Sequence, residues 1–212
     1  MSEAAIWTLI GVATTSLVAV LMFVLDQWYT RPMPEAGHAQ VGELEQDGIR
    51  IRHFGILVRN RPTRWPWPHR KIAENITSHL LIRGTAGDEK TFHGVWTVST
   101  NGRQFTAPGA QTSLTVGQKT EIPVVLKIAG EKTCQLIHNE NEKLSEEFIL
   151  PEGTYLVALT LVYGGKSTPY YFVLNNRTTE LARLKLRGPV TKKAVRHIIN
   201  NPEAYFPLGG TG

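Results

Sequence analysis

Five cations and two tryptophans are concentrated in one short stretch of the sequence, with no acidic residue among them. Cations bind anionic groups and indole rings favour apolar–aqueous boundaries, so the stretch suits a contact with anionic lipid headgroups or an acidic protein partner. Single-stranded nucleic acid is a less favoured partner for the same cations. The alternative is a proline-stiffened loop whose tryptophans cap one end of a domain. The candidate binding residues are Arg59, Arg61, Arg64, Trp65, Trp67, Arg70 and Lys71.

A second group of cations lies near the C-terminus. Residues 177–212 carry seven basic and two acidic residues, a net charge of +5 that equals the charge of the whole chain. Thr191 suits a helix N-cap, and a helix after it would place Val195 and Ile198 on one apolar face. Such a basic helix suits a membrane surface or a partner protein, or it packs on the domain. The candidate binding residues here are Arg187, Lys192, Lys193 and Arg196.

The sequence offers little for catalysis or metal binding. Cys134 and His138 are spaced as copper ligands on a β-sandwich could be, but all three methionines lie within residues 1–33, so no methionine ligand follows. The chain also lacks the G-x-S-x-G motif of serine hydrolases. We therefore predict no metal, no cofactor, no catalytic residue and no small-molecule substrate, and we expect that the chain is not an enzyme.

The element that positions these groups begins at the N-terminus. Residues 4–25 contain no charged residue and no proline, and 22 apolar-rich residues suffice for a helix that crosses the hydrocarbon core of a bilayer. Trp7 near one end and Trp28 past the other suit the headgroup level. No positive segment precedes the run and no A-x-A site follows it, which argues against a cleaved signal peptide. Residues 1–28 are predicted to be a single-pass transmembrane anchor with the bilayer as its partner.

The segment after the anchor bears on the orientation of the chain. Residues 29–48 hold two prolines and three glycines without apolar periodicity, which predicts a tether. No lysine or arginine precedes the anchor, whereas Arg31 follows it. The positive-inside rule therefore favours a domain on the cytoplasmic side.

From residue 49 onward the pattern predicts an all-β domain over 49–175, followed by a basic tail over 176–212 with a short helix. Asn101-Gly102 between extended runs is a strong hairpin signal, and residues 154–163 are apolar on both faces, as in a central strand. Short strands at this spacing, without helices between them, favour an antiparallel β-sandwich. The predicted strands are 49–60, 77–83, 92–100, 103–106, 112–116, 121–128, 147–150, 154–163 and 169–174.

Three stretches carry a resemblance to a known family. Residues 58–60 and 73–82 resemble the opening hairpin of CARDB-type immunoglobulin-like domains, residues 114–122 resemble their apolar–Gly–polar turn, and residues 150–157 resemble the P-x-G-x-Y entry to their penultimate strand. In that entry Tyr155 would pack inward while its hydroxyl caps the backbone near a corner. The resemblance implies an immunoglobulin-like antiparallel β-sandwich and a binding or scaffolding role, with no catalytic residue to transfer.

These patterns predict a membrane-anchored β-sandwich that acts as a protein-binding or scaffolding module, for example as an accessory subunit of a membrane complex. The alternative is a membrane-tethered domain that binds anionic lipid or nucleic acid through its basic loop and tail.

Overall fold

The N-terminal helix α1 spans Glu3–Thr30 in the computed structural model, which describes residues 3–62, 70–84, 87–100, 103–107, 112–137, 148–177 and 179–200. Three of its threonines are satisfied within the helix: the hydroxyls of Thr8, Thr14 and Thr15 donate to carbonyls four residues earlier, at 2.8–2.9 Å. The most apolar window of α1 has a mean hydropathy of 2.3 and is 0% buried. The helix is therefore long and apolar enough to cross a bilayer, as predicted.

Two antiparallel sheets follow α1. The first contains β1 (Pro34–Gln46), β2 (Ile49–Asn60), β5 (Trp96–Thr100), β6 (Arg103–Ala107), β8 (Lys119–Ile128), β9 (Cys134–Leu136) and β10 (Ile149–Leu150). The second contains β3 (Ala73–Gly84), β4 (Glu89–His93), β7 (Thr112–Leu114), β11 (Gly153–Tyr163), β12 (Lys166–Asn176) and β13 (Lys185–Val190). The first sheet has the order β1-β2-β8-β5-β6, with β9 beside β8 and β10 beside β9. The second has the order β13-β12-β11-β3-β4, with β7 beside β3.

The core lies between the two sheets and is filled by alternating side chains of their inner faces. Ile56 of β2, Trp96 of β5 and Phe172 of β12 are each 0% exposed. Strand β11 lies between β12 and β3, which confirms that it is central. The face of β11 that begins at Tyr155 is buried as far as Leu161, whereas its other face is half-buried. This arrangement confirms the predicted β-sandwich, in which alternate residues of each strand face the core.

Tight turns join several of the strands. The pairing of Thr100 with Arg103 leaves a two-residue connection, which confirms the predicted hairpin, although residues 101 and 102 lie outside the described residues. The hairpin between β11 and β12 turns at Gly164 and Gly165, both with positive φ. Positive φ at both central residues is the geometry that a two-residue hairpin needs, and glycine adopts it without strain.

The predicted tether is wrong over most of its length. Residues 34–46 form β1, which pairs with β2 from Pro34 opposite Asn60 to Gln46 opposite Ile49. Because β1 lies at a sheet edge, where about half of its residues are exposed and one, Ala36, is buried, it needs no apolar alternation and carries none. The sandwich thus begins at residue 34, and only residues 31–33 separate it from α1.

The boundary of the predicted tail also changes. Residues 185–190 form β13, which pairs with β12 and so belongs to the sandwich. The predicted short helix is confirmed as α2 (Lys192–Asn200), and Thr191 caps it by accepting a hydrogen bond from the Ala194 N–H at 3.2 Å. Ile198 of α2 packs against Val173 on the outer face of β12. The structure therefore shows the alternative in which this helix packs on the domain.

The predicted corner around Tyr155 is present. The Tyr155 hydroxyl donates to the Pro151 carbonyl at 2.9 Å, and the buried Asn176 side chain donates to the same carbonyl at 3.0 Å. The Asn176 oxygen in turn accepts a hydrogen bond from Lys127, whose side chain is buried. Each buried polar group in this network has a hydrogen-bond partner, so the network stabilises the end of the sandwich that lies far from α1.

At the opposite end, the buried side chain of Asn60 joins several chain segments. Its Oδ1 accepts a hydrogen bond from the Met33 N–H at 3.0 Å, and its Nδ2 donates to the carbonyls of Lys71 and Leu114 at 3.0 and 3.2 Å. The Lys71 N–H donates to the Thr30 carbonyl at 2.7 Å. The last turn of α1, the start of β1, and the ends of β2 and β7 therefore meet at one place.

We expect Asn60→Ala to lower the free energy of unfolding by roughly 2–3 kcal/mol, because three backbone groups would lose their hydrogen-bond partner inside the protein. Denaturant unfolding of the full chain in micelles, followed by the circular dichroism of its strands, measures this loss.

Asn175→Ala is the matched control. Asn175 is also buried, at 5% exposure, but its Oδ1 has no hydrogen-bond partner among the described residues. An equal loss of stability in the two variants would contradict the joining role of Asn60.

Candidate functional site

The end of the sandwich at which α1 enters is called the base, and cations from separate chain segments meet there. Hydrogen bonds from Met33 to Asn60 and from Lys71 to Thr30 bring the end of the basic loop to the end of the helix. The described cations of the base include Arg31, Arg59, Arg61, Arg70, Lys71 and Lys166. The predicted residues Arg64, Trp65 and Trp67 lie outside the described residues.

Arg70 shows how closely these cations approach one another. Its Nη1 donates to the Arg31 carbonyl at 2.9 Å, which fixes the guanidinium beside the end of α1. Partial burial lowers the pKa of Arg70, the charges of Arg61 and Arg31 lower it further, and the Glu35 carboxylate opposes these effects. The base therefore concentrates positive charge, and an anion placed there would relieve the repulsion.

Glu35 on β1 neutralises part of this charge. Its Oε1 accepts hydrogen bonds from Nε and Nη2 of Arg59, each at 2.8 Å, and its Oε2 lies 3.7 Å from Nη1 of Arg61. The fork of Arg59 is thus engaged with the neighbouring strand, an arrangement that holds β1 on β2. Of these two arginines, Arg59 is engaged more closely, since both of its contacts to Glu35 are at 2.8 Å whereas Arg61 lies 3.7 Å away.

A cavity of about 540 Å³ opens in the base between residues 31–35 and the hairpin that joins β11 to β12. Arg31, Arg61 and Lys166 supply its cations, and Tyr163 and Tyr170 supply phenol groups. The volume lies within the range of small-molecule sites.

Both phenols of the cavity remain protonated at neutral pH. Burial raises the pKa of Tyr170, whose hydroxyl donates to the Pro34 carbonyl at 3.4 Å. Burial also raises the pKa of Tyr163, and the Glu74 carboxylate adds to this effect. The two groups are therefore hydrogen-bond donors beside the cations.

The sequence analysis missed Lys166 as a site residue and used Arg31 only for orientation. Lys166 is separated from Arg31 by more than half of the chain, and the available signal was the glycine pair that begins its hairpin. That signal predicts a turn but gives no position for it. The antiparallel pairing of β11 with β3, and the bonds that join α1 to the base, determine that position.

The tail cations form a separate surface. Arg187 lies on β13 opposite Val173, and the other three predicted tail residues, Lys192, Lys193 and Arg196, are exposed on α2. Val190, just before α2, pairs with Tyr171, which is five residues along β12 from Lys166, or about 17 Å. The structure therefore does not bring the predicted tail cations into the cavity of the base.

The possibility of metal or thiol chemistry centres on Cys134. Its side chain is 2% exposed and burial raises the pKa of the thiol to about 12, against the opposing charge of Lys127, so the group is protonated at neutral pH. His138 lies outside the described residues. Within the described part of the chain, no three histidine, cysteine or acidic side chains are grouped as a metal site. The absence of a metal and of enzymatic activity both stay predictions.

Comparisons of the chain with protein-family models, with curated proteins and with solved structures give no match. The resemblance to CARDB-type domains thus stays a prediction.

Proposed function

We propose that this chain is a single-pass membrane protein that holds a β-sandwich binding or scaffolding module directly on the bilayer surface, with its cationic base against anionic headgroups. The observation that carries the proposal is the junction between α1 and the base. Lys71 donates to the Thr30 carbonyl and Met33 donates to Asn60, so the basic segment is bonded to the last turn of the helix. A helix that spans the bilayer would bring that segment to the headgroups.

Helix geometry supports this placement. The apolar residues 4–25 extend about 33 Å at 1.5 Å per residue, close to the roughly 30 Å thickness of a hydrocarbon core. Arg31 follows six residues later, about 9 Å further along the axis, which is just beyond a headgroup layer roughly 5–7 Å thick and within reach of it for a long side chain. Trp28 and Tyr29, whose rings are in contact with centroids 5.4 Å apart, lie between these levels, where aromatic side chains are enriched.

The charge of the base also supports the proposal. A basic residue near an anionic membrane surface contributes about 1 kcal/mol, and the attraction decays over a Debye length of about 10 Å at moderate salt. Arg31, Arg70 and Lys71 lie at or beside the junction with α1, within this distance of the headgroups in the proposed placement. We therefore favour anionic lipid over nucleic acid as the partner of these cations.

Hydrogen exchange on the full chain in nanodiscs tests the contact. We expect anionic lipid to slow amide exchange in residues 70–76 about tenfold relative to zwitterionic lipid, since two cations near the headgroups oppose local opening of this segment. High salt should remove most of this protection.

Two variants that remove equal charge separate the base from the tail. Arg70→Gln with Lys71→Gln should abolish the protection by anionic lipid, whereas Lys192→Gln with Lys193→Gln on α2 should preserve it. Equal loss of protection in both variants would show that net charge, and not the base, determines the effect.

The same geometry favours the cytoplasmic side for the domain. The cytoplasmic leaflet carries the anionic surface charge of a cell membrane, and the fold brings Arg61, Arg70 and Lys71 to the level of Arg31, the one nearby cation in the sequence. The positive-inside rule and the base thus favour the same orientation.

Thiol labelling measures the orientation. Asp88→Cys places a thiol on an exposed residue, and native Cys134 gives little background because it is buried with its thiol pKa raised to about 12. We expect a membrane-impermeant maleimide to label Cys at position 88 only after the cells are permeabilised. Labelling in intact cells would place the domain outside.

A second candidate function, protein binding, is favoured by the hairpin of β1 and β2. Near its far end Leu44 and Ile49 are 55% and 49% exposed, although they are apolar, and the pairing of Leu44 with Ile51 and of Gln46 with Ile49 places them on one face of the hairpin. Exposed apolar side chains that cluster on a folded domain mark contact surfaces for other proteins. We propose this hairpin end as the contact for a protein partner with a matching apolar surface.

Photocrosslinking in native membranes tests this contact. A photoreactive amino acid in place of Leu44 should give a protein adduct, and Ile49→Ser in the same chain should reduce it, because the apolar contact on that face is weakened. Ile149, which is 41% exposed on β10, is the matched control position. Equal adducts from both positions, or none from Leu44, would contradict this role of the hairpin.

A further inference from the structure

We infer that the cavity of the base is a binding site for the phosphate group of an anionic phospholipid. This inference rests on the proposed function and deepens it, since it replaces a diffuse attraction to headgroups by one site that holds one lipid.

The cations of the cavity come from three separate parts of the chain. Arg31 follows α1, Arg61 follows β2, and Lys166 begins β12. The one carboxylate of the lining, Glu35, is engaged by two hydrogen bonds from Arg59 and lies 3.7 Å from Arg61. Among the described residues, Arg31 and Lys166 have no acidic partner in an ion pair. The cavity therefore has a surplus of positive charge that an anion would balance.

Neutral donors complete a phosphate-type environment. The hydroxyls of Tyr163, Thr168 and Tyr170 belong to residues that line the same cavity. The Tyr170 hydroxyl makes a long hydrogen bond of 3.4 Å to the Pro34 carbonyl, which leaves it free to turn toward a stronger acceptor. Charge-assisted hydrogen bonds from guanidinium and hydroxyl groups to phosphate oxygens are stronger than bonds between neutral groups.

The remaining lining and the location of the cavity favour a lipid over a soluble phosphate. Pro32, Met33 and Leu161 add apolar surface beside the cations, and a phospholipid carries an apolar portion next to its phosphate whereas inorganic phosphate carries none. The cavity also begins at Arg31, one residue after the end of α1. In the proposed placement the cavity lies at the outer edge of the headgroup layer, from which the Arg31 side chain reaches the lipid phosphates.

The Arg31 guanidinium lies over the Trp28 ring, with its central carbon 5.3 Å from the ring centroid. Its charge therefore stays near the end of the helix, since such cation–π contacts stabilise the position of the guanidinium. The three cations differ in kind: arginines offer planar pairs of donors, whereas Lys166 offers a compact charge on a flexible stem.

Native mass spectrometry of the full chain tests the site. Protein released from nanodiscs of phosphatidylcholine with a minor fraction of phosphatidic acid should retain one phosphatidic acid molecule in preference to phosphatidylcholine. Arg31→Gln with Lys166→Gln should lower the retained fraction about tenfold, because two charged contacts to the phosphate are lost. Lys192→Gln with Lys193→Gln on α2 removes the same charge away from the cavity and should leave retention nearly unchanged.

Three outcomes would overturn the inference: no preference for phosphatidic acid in the wild-type chain, equal losses in the two double variants, or binding of inorganic phosphate that depends on Arg31 and Lys166 without any retained lipid. The third would assign the cavity to a soluble phosphate. The hydrogen-exchange protection of residues 70–76 is measured separately and depends on Arg70 and Lys71. Loss of lipid retention with that protection intact would therefore reject the cavity but keep the surface contact, whereas loss of the protection would reject the proposed function itself.

Discussion

The arrangement of this chain depends on satisfying backbone groups where its segments converge on the base. Asn60 is buried there, and its side chain accepts from one backbone N–H and donates to two carbonyls. A buried backbone group without a partner costs about 1–3 kcal/mol, so the three segments are held in one arrangement. The cavity and the grouping of its cations follow from this arrangement, because Arg31 and Arg61 each lie within two residues of a bonded position.

Local signals were sufficient for much of the fold. The apolar run predicted α1, the glycine and asparagine turns predicted hairpins, and Thr191 predicted the start of α2. Strand β1 was missed because an exposed edge strand lacks apolar alternation, although Asp47-Gly48 adopts positive φ at both residues, as a hairpin turn does. Strand β13 was missed because it contains Gly188-Pro189, a pair that is typical of turns and loops.

The site could be predicted only in part, because its charges act through space and not along the sequence. The density of cations indicated Arg61, Arg70 and Lys71 as candidates on one loop, and in the fold the charge of Arg61 acts on Arg70. The sequence could not show that Arg59 is neutralised, since its partner Glu35 lies on the strand that was interpreted as a tether. Lys166 enters the site through strand pairing over long sequence distances, and no local pattern encodes such pairing.

The link of three residues between α1 and β1 limits how the domain can meet other molecules. A long flexible tether would let a domain reorient widely and present any of its faces to a partner. This connection is short, and the backbone on both sides of Pro32 is hydrogen-bonded to the base. Strand β2 rises from the base for twelve residues, so the far end of the sandwich would stand roughly 40 Å away. If α1 spans a bilayer, the domain would diffuse only in the plane of the membrane, and its far end would stay at a fixed distance from the surface. Rotation about the axis of α1 would then be the main motion by which the domain turns toward a neighbouring membrane protein.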